Sequence, residues 1–164
     1  MWWSDKNKIY KANGIEYKKI AWKWRRKYKY KLAKDYTITL PKDLFDDIWV
    51  LKGRKFFYCR YFSVYYDIIS NVYILTIKKD YEWDGCSGPT IDTKTNMRAS
   101  LCHDCLYQLC RMSIIIQKCV TAINEWFYRI LKQDGMCRFR RWYYLKSVNT
   151  WIARRNAKPN KTGP

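Results

Sequence analysis

Apolar and polar positions follow two different rhythms along this chain. Over residues 22–32 they alternate for most of the stretch. Trp22, Trp24, Tyr28, Tyr30 and Leu32 fall on one side, and Lys23, Arg25, Lys27, Lys29 and Lys31 on the other. A period of two with aromatics on one side predicts a strand with one buried face and one wet, cationic face. Aromatic and β-branched content predicts further strands at 36–40, 48–51, 56–66 and 72–78. Pro41 and Gly53 punctuate them. Together they form a small antiparallel sheet.

After Lys79 the rhythm changes. Residues 84–93 are rich in Gly, Asp, Pro and Ser, which is loop chemistry. A helix should follow, capped by Thr95 or Asn96 and running through Met97, Leu101, Cys105 and Leu109 to about Arg111. A second fits 116–133, where Val120, Ile123, Phe127, Ile130 and Leu131 recur at helical spacing before Asp134-Gly135 ends it. A third fits 138–153, with Trp142, Leu145, Val148, Trp151 and Ile152 on one side. The polar segment 156–164 is expected to be a flexible tail. The fold class is therefore α+β: one domain over 1–155, with strands in its first half and helices in its second.

Composition narrows the partners. A chain of 164 residues that is 48% apolar and 18% aromatic folds rather than staying disordered. A net charge of +19 attracts polyanions, whether nucleic acid or an anionic membrane surface. A codon bias toward Lys accounts for part of that charge, but less well for the Arg pairs at 25–26, 140–141 and 154–155. The expected polyanion-binding residues are Lys23, Arg25, Lys27, Lys29, Lys31, Arg140 and Arg141. No stretch of about 18 apolar residues predicts a transmembrane helix, and Met1-Trp2-Trp3-Ser4-Asp5 does not open a signal peptide. Seven cysteines, an odd number, favour reduced thiols acting as small buried hydrophobes. Cys102-His103-Asp104-Cys105 lacks the second pair that a structural zinc site needs.

Candidate chemistry centres on one place. His103 is the only histidine, Asp104 follows it, and the loop Asp84-Gly85-Cys86-Ser87-Gly88 lies upstream. On a helix His103 and Tyr107 share a face, whereas Asp104 points about 100° away. Asp104 therefore does not orient His103, and is free to hold a cation against the loop, whose turns expose carbonyls to a hard ion such as Ca²⁺. The same residues also permit a plainer reading: Asp104 as a surface acid and His103 as a packed polar side chain.

Asp84-Gly85-Cys86-Ser87 followed by His103-Asp104-x-x-Tyr107 resembles the calcium loop and catalytic helix of the phospholipases A2, the compact microbial kind above all. The segment resembles still more closely a group of uncharacterised bacteriophage proteins of the DUF1353 type, over roughly residues 72 to 155. The phospholipase resemblance implies that His103 activates a water, that Asp84, Gly85, Gly88 and Asp104 bind Ca²⁺, and that Tyr107 supports the residue orienting the imidazole. That residue aligns with Asn124, where those enzymes carry aspartate. An amide is expected to hold the ring without stabilising the imidazolium, and to favour the wrong tautomer. Glu125 should face about 100° away. Cys102 directly precedes His103, which departs from the enzymes' usual cysteine spacing. The phage resemblance implies an accessory or virion-associated protein, located in the virion or host cytoplasm. It would bind nucleic acid or virion proteins, with weak or absent catalysis. The alternative is a Ca²⁺-dependent ester hydrolase acting on anionic membrane lipids.

Overall fold

A computed structural model describes residues 8–20, 28–45, 56–86, 91–150 and 157. It is a mixed α+β protein with two four-stranded antiparallel sheets and four α-helices among the described residues. The first sheet has the order β1-β2-β3-β8, from Tyr10–Ala12, Ile15–Lys19, Tyr30–Leu32 and Glu82–Trp83. The second has the order β4-β7-β6-β5, from Tyr36–Leu40, Val72–Ile77, Phe62–Asp67 and Phe56–Tyr58. The helices are α1 (Lys42–Phe45), α2 (Met97–Arg111), α3 (Val120–Gln133) and α4 (Arg138–Val148), with a 3₁₀ turn at Gln117–Cys119.

Several expectations change. One sheet becomes two, and α1 sits between strands, so strands and helices do not divide cleanly by halves. The β1–β2 hairpin turns at Asn13-Gly14, both at positive φ (46° and 87°), the backbone that a tight two-residue turn requires. The predicted strand 56–66 is a hairpin: the chain reverses at Cys59–Tyr61, and Cys59 N–H donates to the Phe62 carbonyl at 2.8 Å. Of the strand predicted over 22–32, only Tyr30–Leu32 is described as strand; residues 21–27 and the strand predicted at 48–51 lie outside the described residues. On α4 the inward residue is Tyr144, while Trp142, expected on the core side, is exposed. Ala157, within the segment expected to be a tail, is buried.

The core explains the helix positions. Val120, Ile123, Trp126, Phe127, Ile130 and Leu131 form the apolar stripe of α3, with Asn124 set inside it. Phe45 of α1 meets Trp126 edge-on at 5.7 Å. Gly135, at φ 79°, closes α3, with Met136 N–H donating to the Leu131 carbonyl and Gly135 N–H to that of Lys132. None of the seven cysteines is in a disulfide, and five are buried: Cys86, Cys102, Cys105, Cys110 and Cys119. Burial pushes the thiols of Cys102 and Cys110 up to about 12, so they act as small hydrophobes.

One buried ion pair ties α2 to the end of α3. Arg98 donates from Nε and Nη2 to the carboxylate of Asp134, at 3.1 and 2.5 Å, and from Nη2 to Gln133 Oε1 at 3.1 Å. Asp134 is almost wholly buried, so removing Arg98 strands a charge. Arg98→Ala is expected to lower stability by about 3–5 kcal/mol in urea unfolding. Arg129→Ala, which breaks the exposed pair with Asp43, should cost at most about 1 kcal/mol. Equal losses would contradict this ranking.

Candidate active site

The loop before the His103 helix is held at both ends. Trp83, wholly buried at the end of β8, donates from Nε1 to Ser100 Oγ on α2 at 3.2 Å. Gly85 follows two residues later at φ 76°, and a Cβ there would lie 2.7 Å from both carboxylate oxygens of Asp92. That close approach serves a clasp. Cys86 N–H donates to Asp92 Oδ1 at 3.0 Å, and the Tyr30 hydroxyl donates to Oδ2 at 2.8 Å. Burial, then the bond to Asp92, pushes the Tyr30 phenol well up, so it stays protonated as a donor. Asp92 was not among the expected site residues. Its signal was a second acid in a Gly-rich loop, the residue type that gathers turn N–H groups. Gly88 lies outside the described residues.

His103 stands on α2 with Tyr107 one turn along, their rings 4.1 Å apart, and Phe127 of α3 covers the imidazole at 5.0 Å. The residue that decides its chemistry is Asn124, which is completely buried. Asn124 Nδ2 donates to the Val148 carbonyl at 3.1 Å and to Asn149 Oδ1 at 2.9 Å. A carbonyl only accepts, so the amide nitrogen must face Val148 and the amide oxygen must face the other way. On that side Asn124 Oδ1 accepts from the Tyr107 hydroxyl at 2.9 Å and lies 3.0 Å from His103 Nε2. An amide oxygen has no proton to give, so Nε2 carries the hydrogen and the neutral ring keeps its lone pair on Nδ1. The expectation that an amide favours the wrong tautomer is thereby reversed. The backbone of α4 orients the amide, and the amide selects Nε2–H.

Nδ1 faces the acidic side of the site. It lies 3.8 Å from Asp104 Oδ1, beyond hydrogen-bond distance, and the Asp104 side chain is 30% exposed against 11% for His103. A water molecule donating to both atoms suits such a gap. Glu125 points outward, as its helical position requires, and pairs with Arg129 at 3.6 Å. Burial raises the Asp84 carboxyl above its usual range. Lys29, 3.6 Å away, opposes that rise, and the Asp104 and Asp92 carboxylates add to it. Mutually repelling carboxylates suit a hard divalent cation, which would compete with Lys29 for Asp84. Among the described residues, no three or more His, Cys, Asp or Glu side chains are grouped to hold a metal, so a cation here would also need backbone carbonyls from the loop.

Of the expected polyanion residues, the four that are described all have partners within the chain. Lys23, Arg25 and Lys27 lie outside the described residues. Lys29 pairs with Asp84, and Lys31 with Asp80 and Glu82. Arg140 and Arg141 lie over the rings of Tyr144 and Tyr128, at 5.9 and 5.5 Å. No helix among the described residues is long and apolar enough to cross a membrane. Comparison with protein-family models, curated proteins and solved structures gives no match.

The amide network makes aspartate at 124 a poor exchange. A carboxylate would set lone pairs against the Val148 carbonyl, which cannot turn away. Asn124→Asp should therefore lose about 1–3 kcal/mol at about pH 7. The desolvated carboxyl would have a raised folded-state pKa, so the deficit is absent below the unfolded value and grows as pH rises through it. The loss should shrink when urea unfolding is repeated near pH 4. A variant as stable as the parent at both pH values would contradict the network.

Proposed function

We propose that the chain is a phospholipase-A2-like ester hydrolase acting on anionic membrane lipids, with His103 as general base. One observation carries the reading: Nε2 is fixed by a buried, fully bonded acceptor, while Nδ1 keeps its lone pair beside Asp104. A water donating to Nδ1 attacks the ester carbonyl and passes its proton to Nδ1 as the C–O bond forms. The imidazolium then returns that proton to the departing alkoxide as the tetrahedral intermediate collapses. Nε2–H stays on Asn124 Oδ1 throughout, and Tyr107 holds the other lone-pair direction of that oxygen. Asp84, Asp104 and the Gly85 carbonyl would hold Ca²⁺, which supplies positive charge to the developing oxyanion.

The amide sets the speed. A neutral oxygen stabilises imidazolium less than a carboxylate does, and in the serine-protease triad the Asp→Asn exchange costs about 10⁴ in kcat. A slow enzyme is the expected outcome. The resemblance to bacteriophage proteins of the DUF1353 type supports a virion or host-cytoplasm setting. The net charge of +19 favours a second reading, a non-catalytic virion-associated scaffold that binds polyanions. It ranks second because it gives the oriented imidazole nothing to do.

Purified protein should release fatty acid from phosphatidylglycerol vesicles when Ca²⁺ is present, and His103→Ala should lower the rate by at least about 10²-fold. Ca²⁺ should also raise the melting temperature of the parent, but not that of Asp84→Asn. No release above blank at any Ca²⁺ level, together with salt-sensitive binding to nucleic acid, would transfer support to the scaffold reading.

A further inference from the structure

We infer that the outer face of α4 is a docking surface for an anionic lipid bilayer. The helix has two opposed stripes. Tyr144, buried, and Val148, half-buried, turn inward, and the Tyr144 hydroxyl donates to the Ile91 carbonyl at 3.2 Å, pinning α4 beside the loop. Phe139, Trp142, Tyr143 and Lys146 occur at i, i+3, i+4 and i+7 on the opposite side. Phe139 is 75% exposed and Trp142 54%, and Tyr143 is exposed as well. The Phe139 and Trp142 rings lie 6.2 Å apart, and the Lys146 ammonium sits 5.8 Å from the Trp142 ring centre. Arg138 and Arg140 flank this stripe on its two sides, and α4 contains no acid. Neighbouring aromatics with cations at the margins are the pattern of a helix lying in a headgroup layer, where rings enter the acyl boundary and cations meet phosphate.

The same residues disfavour nucleic acid as the occupant. Arg140 and Arg141 are laid over tyrosines, whereas the groups that project farthest are apolar. A bilayer rewards burial of those rings; a phosphate backbone rewards free cations. Another exposed apolar tip, Ile68-Ile69 in the β6–β7 turn, adjoins Asp67 and has no cation within the turn, so it lacks the charge complement. In placing the substrate surface, the inference rests on the hydrolase reading. The binding itself does not, because it needs no turnover.

Co-sedimentation with vesicles tests it. The full chain should bind phosphatidylglycerol–phosphatidylcholine vesicles, bind pure phosphatidylcholine far more weakly, and keep part of its binding in high salt. Phe139→Ser with Trp142→Ser should weaken binding on the order of tenfold or more. That variant should keep the parent's melting temperature and its rate on a soluble short-chain ester. Ile69→Ser and His103→Ala should bind vesicles like the parent. Vesicle binding without hydrolysis by the parent would uphold the docking surface while sinking the hydrolase. Unchanged binding by the double variant, loss in Ile69→Ser instead, or binding to duplex DNA while vesicles are ignored would each overturn the inference.

Discussion

The side-chain amide of Asn124 is the contact on which the candidate site depends. It is buried within an otherwise apolar helix face, where an unsatisfied polar group costs on the order of 1–3 kcal/mol. All four of its hydrogen-bonding directions are used: two from nitrogen to Val148 and Asn149, two to oxygen from Tyr107 and His103. Because one partner is a backbone carbonyl, the amide has a single orientation, and so does the proton on His103. Structure and chemistry meet in that amide: the packing of α4 against α3 decides which imidazole nitrogen can act as a base.

A second constraint holds the acidic side. The first sheet supplies Trp83 and Tyr30, which fasten the two ends of the Asp84 loop to α2 and to Asp92. Gly85 is required twice, by its positive φ and by the carboxylate lying where a Cβ would be. The loop thereby holds Asp84 beside Lys29 while Asp92 is occupied as a clasp. Tyr144 and Asn96 extend the same arrangement to α4: Asn96 Nδ2 donates to the Ile91 carbonyl and to the Tyr144 hydroxyl, both at 3.0 Å. Asn96 begins α2, but its side chain secures the loop and α4, and does not cap the helix.

Much of this was legible in the residues. Helical spacing located α2 and α3 within a few positions, because their apolar stripes are strong and Asp134-Gly135 is an unambiguous stop. The strands at Tyr36–Leu40 and Val72–Ile77 followed from β-branched content. The hairpin at Asn13-Gly14 carried a clear turn signal that alternation farther along overshadowed. The break at Cys59–Tyr61 could not be read, since the residues on both sides are equally strand-forming. In the site, helical spacing put His103 and Tyr107 on one face, and the resemblance to the phospholipases A2 brought in Asn124, which hydrogen-bonds both. What helical spacing could not supply was the orientation of the amide, which depends on a carbonyl 24 residues away in sequence. The α4 face was misjudged because Trp142 and Tyr144 are both aromatic; tertiary hydrogen bonds to Asn96 and Ile91, not hydrophobicity, select the inward one.

The central claim is that Asn124 fixes His103 in the Nε2–H form. Nitrogen-15 NMR of the protein labelled at histidine addresses it directly, since this chain has a single histidine and thus a single pair of ring signals. With the ring neutral, Nε2 should show the shift of a protonated ring nitrogen and Nδ1 that of an unprotonated one, and Asn124→Ala should restore a mixture of tautomers. A neutral ring protonated at Nδ1, or a tautomer mixture already present in the parent, would contradict the account.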